Sequence, residues 1–340
     1  MKRVLITGGA GFIGSNFIRH LLARYDYEVV NFDKLTYAGN PDNVNDLQSD
    51  RRYRFVKGDI CDPAAVNVAL DGCDAVVNFA AETHVDRSLI DAGAFIQTDV
   101  HGVFALLEAA RQHGVERFLH ISTDEVYGPR FPANPAREDD PLTPANPYAA
   151  SKAGGEMQCQ AFFRTYGLPI IVTRSRNNIG PRQHPEKAVA LFITNALEDL
   201  PLPVYGEGLQ VRDRLYVDDN CEAIDLVLHR GQPGEAYNIG ADNERPNIEV
   251  AQAVLDLLDK PRDLIRFIED RTNHDARYSL DTSKIRALGW EPQHDFETAM
   301  ARTVAWYRDN PWWWQKIRSG EFSVYYQQQY AGRLARSHGP

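Results

Sequence analysis

The first two strand patterns and the loop between them restrict the fold more than any other part of the chain. A run of β-branched and apolar residues, Arg3 to Thr7, leads directly into Gly8-Gly9-Ala10-Gly11-Phe12-Ile13-Gly14, which opens a helical pattern from Phe12 to Arg24. Gly9, Gly11 and Gly14 satisfy the G-x-G-x-x-G spacing. That spacing lets the chain turn tightly from strand to helix and lets a diphosphate approach the backbone at the helix N-terminus. The next strand pattern, Glu28 to Phe32, ends on Asp33. An acid about 20 residues beyond the loop accepts the ribose hydroxyls of NAD and repels the extra phosphate of NADP. Strand, loop, helix and acid in this register predict a dinucleotide-binding βαβ unit.

The alternation continues to about Ser175. Tyr53 to Lys57, Ala75 to Phe79, Arg117 to Ile121 and Pro169 to Thr173 read as strands, and His101 to Gln112 and Ala149 to Tyr166 as helices. The predicted class is α/β, with a Rossmann-type doubly wound parallel sheet over 1–175. Asp59 follows the third strand and Ala80-Ala81 the fourth, so both lie at strand ends that face the cofactor crevice. Beyond Ser175 the texture changes to loops, short helices and isolated strands. It reads as a smaller mixed α/β substrate-binding lobe over 176–330, packed over the carboxyl ends of the sheet. Its helices are expected at Val250 to Leu258, Ser283 to Leu288 and Phe296 to Tyr307, and 331–340 is expected to be a disordered tail. The aromatic cluster Trp312-Trp313-Trp314 with Tyr325, Tyr326 and Tyr330 is assigned to packing of the last helix.

Composition narrows the partners. With 47 acidic against 37 basic side chains the formal charge is -10, which disfavours nucleic acid and anionic membranes as general partners. No apolar run approaches the ~20 residues needed to span a bilayer, and the chain enters its first strand too early for a signal peptide, so a cytoplasmic location is expected. The four cysteines form no C-x-x-C pair and the histidines show no ligand spacing, so no metal is expected.

Two further segments carry chemistry. Ser122-Thr123-Asp124-Glu125-Val126-Tyr127-Gly128 closes the fifth strand pattern, and Tyr148 and Lys152 follow four residues apart. On a helix these two share a face, and an ammonium near a phenol favours the phenolate over its reference pKa of about 10. Tyr148 is then a base for a sugar hydroxyl. Asp124 and Glu125 admit two readings from the residues alone, a pair of exposed loop acids or the acid and base of an elimination.

At this point the chain resembles the extended short-chain dehydrogenase/reductase superfamily and, within it, the dTDP-glucose 4,6-dehydratases. The segments that carry the resemblance are 33–40, 81–88, 122–128, 177–181, 185–187, 212–217, 237–240 and 274–278, which reach across nearly the whole chain. The resemblance implies bound NAD, held by Gly8, Gly11, Phe12, Ile13, Gly14, Asp33, Lys34, Thr36, Gly39, Asp59, Ile60, Ala80, Ala81, Tyr148 and Lys152. It implies catalysis by Thr123, Asp124, Glu125, Tyr148 and Lys152. Tyr148 takes the 4-hydroxyl proton as C4 is oxidised, Glu125 removes the C5 proton, Asp124 protonates the departing 6-hydroxyl, and hydride returns to C6. A nucleoside-diphosphate sugar is expected at His84, Arg87, Asn177, Glu186, Lys187, Arg212, Asn247 and His274, and a homodimer is expected by analogy.

The chain departs from the family pattern at several positions. Arg214 stands for a Trp, Ile179 for a Tyr, Asn273 for a Gly and Asp99 for an Asn, and Arg174 to Arg176 is more basic than usual. The alternatives to dTDP-glucose dehydration are the same elimination on UDP-glucose or UDP-N-acetylglucosamine, a 4-epimerase, and a non-catalytic NAD-binding sensor. Asp124 speaks against the epimerase, and the complete Thr123, Tyr148 and Lys152 set against the sensor.

Overall fold

The computed structural model describes residues 1–270 and 275–339. The chain forms two compact units, the first made of 1–175, 220–239 and 278–291 and the second of 176–219, 240–277 and 292–340.

The first unit is built on a seven-stranded sheet. Its strands are β1 (Arg3–Thr7), β2 (Glu28–Asp33), β3 (Tyr53–Lys57), β4 (Ala75–Asn78), β5 (Arg117–Thr123), β6 (Ile170–Ser175) and β7 (Ala236–Ile239). They lie in the order β7-β6-β5-β4-β1-β2-β3, every pairing parallel. This is the doubly wound arrangement, with the order reversing beside β1. Val4, Leu5 and Ile6 are fully buried, as are Ala75, Val76 and Val77. Covering both faces of a parallel sheet is what makes such strands read as continuous apolar runs.

Helices α1 (Phe12–Arg24), α2 (Pro63–Leu70), α3 (Val103–His113) and α4 (Pro147–Tyr166) belong to this unit. Helix α4 starts where Asn146 accepts a hydrogen bond from the Ala149 amide at 2.8 Å, with Pro147 in the first turn, and it ends on Gly167. The predicted ranges of β1, β3 and α1 coincide with the observed ones. The first turn of the helix expected from His101 is instead a π-helical turn, Gln97–Gly102, ahead of α3. The seventh strand was not foreseen, since the sequence assigned 220–239 and 278–291 to the second lobe. Ala236–Ile239 pairs with β6 residue for residue from Val172 to Ser175, and a pairing between such distant segments leaves no local signal.

The second unit has its own core, formed by the helices Ala188–Leu197, Asn247–Leu257 and Phe296–Asp309. Trp313 and Trp314 are buried in it, and the Trp314 indole donates to the Tyr307 carbonyl at 2.8 Å, while Trp312 is exposed. Leu202–Tyr205 pairs in parallel with Ile265–Ile268. The tail expected to lie loose is held instead. His338 bridges to Phe267 on the open edge of that ladder, and Arg333 donates to the Tyr205 hydroxyl at 2.9 Å. No helix among the described residues is long and apolar enough to cross a membrane.

Candidate active site

The carboxyl ends of β1, β2, β4 and β5 bring the expected cofactor and catalytic residues of the first unit to one edge of the sheet. Gly8 turns the chain out of β1 with φ +67°, and a Cβ there would lie 2.6 Å from the Ala80 amide nitrogen, so only glycine fits. Gly11 caps α1 without any side-chain hydrogen bond, which leaves the first amides of a 13-residue helix open to an anion. At the end of β2, Asp33 is buried and accepts from the Ala10 amide at 2.9 Å and the Leu35 amide at 2.7 Å. Burial pushes its carboxyl up, and the two amides oppose that. Next to it the Thr36 carbonyl accepts from the Gly39 amide at 3.0 Å.

Asp59 is clamped by Lys34 at 2.6 Å and by the Cys61 amide at 2.9 Å. Burial acts to raise its carboxyl, but these partners outweigh it and hold it below its ordinary range. Ile60 is buried, while Phe12, Ile13, Ala80 and Ala81 are half-buried at the same edge. A glycine turn, an open helix N-terminus and a buried acid at the second strand end together fit a dinucleotide with unphosphorylated ribose.

The catalytic candidates sit on β5 and α4. Thr123 ends β5 and starts a short 3₁₀ turn, Asp124–Tyr127, its hydroxyl oxygen accepting from the Glu125 amide at 3.3 Å. The same hydroxyl donates to Asp124 at 3.2 Å. Asp124 is buried, and Glu125 is half-buried with hydrogen bonds from Asn146 at 3.2 Å and the Tyr278 hydroxyl at 3.5 Å. The two acids therefore have separate partners.

Tyr148 hydrogen-bonds with Thr123; burial raises its phenol well above the ordinary value, with the charges of Glu125, Asp99 and Asp124 adding to the rise. Lys152 is buried one turn further along α4, donating to the Ile121 carbonyl at 2.8 Å. Burial lowers its ammonium, against the pull of Asp99 and Glu156. Asn146 and Tyr278 were not singled out in the sequence. Asn146 had a local signal, an Asn-Pro pair opening a helix, whereas Tyr278 reaches Glu125 from a distant segment.

Of the expected substrate residues, His84 is buried and Arg87 stacks its guanidinium 3.6 Å from the Tyr37 ring centre in the first unit. Asn177, Glu186, Lys187, Arg212 and Asn247 lie in the second unit, and His274 lies outside the described residues. Arg212 donates to the Val211 carbonyl at 2.8 Å and the Asp275 carbonyl at 2.7 Å. Arg214, just past the strand Val211–Asp213, donates to the Asn247 side chain at 2.6 Å. Burial, then the Arg212 cation, pushes Arg214 down to about 9. Lys187 caps the helix Ala188–Leu197, and the preceding Glu186 is buried.

With this geometry in view, the match to known proteins is informative. A family model described as GDP-mannose 4,6 dehydratase matches residues 5–303. The chain belongs to that family. It is 47% identical to the dTDP-glucose 4,6-dehydratase of Neisseria meningitidis, with 95% of this chain and 98% of that one covered. It is 48% identical to the corresponding enzyme of Streptomyces niveus, covering 93% and 96%. The dTDP-glucose 4,6-dehydratase of Streptomyces venezuelae, solved with NAD bound, superposes with a TM-score of 0.90 at 48% identity, covering 93% of this chain and 99% of that one. A UDP-glucose 4-epimerase of Thermus thermophilus, also with NAD, gives 0.84 at 34%, covering 90% and 99%. Because dehydratases and epimerases share this fold, the side chains around Thr123 carry the distinction.

Proposed function

We propose that the substrate is dTDP-glucose and that Thr123, Asp124, Glu125, Tyr148 and Lys152 convert it to dTDP-4-keto-6-deoxyglucose. The chain is an NAD-dependent nucleotide-sugar 4,6-dehydratase, a lyase. The observation that carries the assignment of roles is the adjacency of Asp124 and Glu125, each with its own partners, to Thr123, which hydrogen-bonds with Tyr148. NAD, when bound, supplies a hydride acceptor for C4 and a hydride donor for C6.

Tyr148 removes the proton of the 4-hydroxyl and the Thr123 hydroxyl holds that oxygen, with Lys152 one turn further along α4 completing the set. The 4-ketone acidifies the C5 hydrogen, and Glu125, oriented by Asn146 and Tyr278, takes it. Asp124 is the more enclosed acid and gives its proton to the 6-hydroxyl, which leaves as water. Glu125 then returns a proton to C5. Gly8, Gly11, Phe12, Ile13, Gly14, Asp33, Lys34, Thr36, Gly39, Asp59, Ile60, Ala80 and Ala81 hold the cofactor. In the second unit Arg212 takes the diphosphate, with Asn177, Glu186, Lys187 and Asn247 in supporting contacts, and in the first unit His84 and Arg87 are the substrate contacts. A guanidinium group suits planar, bidentate contact with phosphate oxygens.

The protein acts in the cytoplasm as a homodimer. Support for the dimer is a run of exposed apolar side chains, Ile96, Phe104, Met157 and Tyr166, on and just before α3 and α4. The substrate is tested by incubating the purified protein, without added cofactor, with dTDP-glucose, UDP-glucose and UDP-N-acetylglucosamine in parallel and weighing the products. Loss of one water from dTDP-glucose alone is expected. Preference for a uridine nucleotide overturns the substrate, and an isomer of unchanged mass overturns the elimination.

A further inference from the structure

Three arginines close together in the chain are buried, and they differ in how their charge is met. Arg174 lies 2.6 Å from the Glu156 carboxylate in the first unit, and Arg176 meets Glu244 and, at 3.6 Å, Asp213 in the second. Arg214, also in the second unit, is only 5% exposed, yet no carboxylate among the described residues lies within ion-pairing distance of it. Its Nε is buried without a hydrogen-bond partner, and its Nη2 donates to the Asn247 side-chain oxygen at 2.6 Å. The acid next to it in the chain is committed elsewhere. Asp213 accepts from the amides of Ala241 and Asn243 at 2.8 Å each and of Asp242 at 3.3 Å, and it faces Arg176.

A guanidinium taken out of water with one neutral hydrogen bond is far from compensated; it calls for an anion. The contact with Asn247 shows where that anion would be met. Arginine has donors only, so the Asn247 atom facing it must be the oxygen, and the Asn247 NH2 is turned away from Arg214 as a donor. Among the described residues that NH2 has no acceptor, and Asn247 is half-buried, so the group is within reach of a ligand. Asn247 also opens the helix Asn247–Leu257, whose cap residue Pro246 supplies no side-chain hydrogen bond, and the field at that end favours negative charge. A buried guanidinium, a fixed amide donor and an uncapped helix start thus meet at one place within the second unit.

We propose that Arg214 is a specificity-determining residue whose guanidinium answers the charge of a phosphate of the nucleoside-diphosphate sugar, while it holds the Asn247 NH2 in place as a second donor to the same anion. This rests on the reading that the second unit takes the substrate's diphosphate. Arg214 acts in two ways. Its charge is balanced when the phosphate arrives, so the site selects an anion over a neutral group of the same size. Its hydrogen bond to Asn247 fixes the amide before the ligand binds, so that donor needs no reorientation. The folded chain without an anion bears the cost of an unpaired buried charge, which a neutral side chain at this position would remove.

The test is calorimetric binding of inorganic pyrophosphate to the protein saturated with NAD, so that the cofactor's own diphosphate site is filled. It compares the parent with Arg214→Met, with Arg214→Gln, which keeps a donor for Asn247 but no charge, and with Arg214→Lys. Both neutral variants are expected to bind pyrophosphate about tenfold or more weakly, and the lysine variant, with the charge but not the planar fork, to fall between them and the parent. In thermal melts without pyrophosphate, Arg214→Met is expected to unfold above the parent, whereas a residue that only propped Asn247 would give a variant that unfolds below it. Pyrophosphate affinity equal to the parent's in both neutral variants would overturn the proposal alone. If the parent itself takes up no pyrophosphate, the diphosphate reading is what has failed, and the proposal falls with it.

Discussion

Asp124 and Glu125 are neighbours in the chain with opposite tasks. Asp124 is buried against the Thr123 hydroxyl, whereas Glu125 is half-buried and steered by Asn146 and Tyr278. Removing either function should stop the reaction after oxidation. Glu125→Gln and Asp124→Asn are expected to slow water loss by about 10²- to 10⁴-fold while C4 oxidation persists, so that reduced cofactor accumulates and is seen by its absorbance. Normal turnover by either variant would remove that residue from the mechanism. At this scale the sequence was legible where roles follow chain spacing, as with Tyr148 and Lys152 one helical turn apart. It marked Asp99 only as a departure from the family pattern and Tyr278 only as the end of the segment 274–278, because what they touch, Ser151 and Glu82 for the one and Glu125 for the other, comes from other segments.

Elements carry the site as much as residues do. Asn146 caps α4 and also holds Glu125, so Asn146→Ala should cost about 1 kcal/mol of stability and lower turnover together, measurable by denaturant unfolding and by initial rates. A separate cluster ties α1 to the helix Val217–Arg230. Asp225 accepts from Tyr25 at 3.0 Å and meets His20 and His229 at 2.9 Å each. Burial acts to raise the Asp225 carboxyl, but the two histidines hold it far below the usual range, and His229 in turn is raised by its hydrogen bond to Asp225.

The depressed acid contributes stability above its unfolded pKa of roughly 4, and this is lost as pH falls. The raised histidine contributes below its unfolded pKa of roughly 6.5, and this is lost as pH climbs through the raised value. Asp225→Asn should therefore destabilise most between roughly pH 4 and 6.5, by on the order of 2 to 3 kcal/mol, with the gap narrowing toward alkaline pH in thermal melts. A gap independent of pH would show that the histidine charge contributes nothing. The early strands and helices were legible because each is a buried run or an amphipathic repeat bounded by turn residues. The π-helical turn at Gln97–Gly102 was not, because its hydrogen-bond register is decided by packing against α4.

Across the whole molecule, the chain leaves its first unit at Ser175 and returns to it twice, to add β7 and the segment 278–291 that carries Tyr278. No periodicity marks such returns. If α3 and α4 form the contact between two copies, Phe104→Glu should convert a dimer into monomers in analytical ultracentrifugation; a monomeric parent protein would contradict that assembly. The central claim, that one pocket oxidises C4, expels water across C5 and C6 and hands the same hydride back, is tested most directly with dTDP-glucose deuterated at C4. The account predicts a product that has lost one water and carries the deuterium on C6. Deuterium found on C4 of an isomerised sugar, or its loss to solvent, would contradict it.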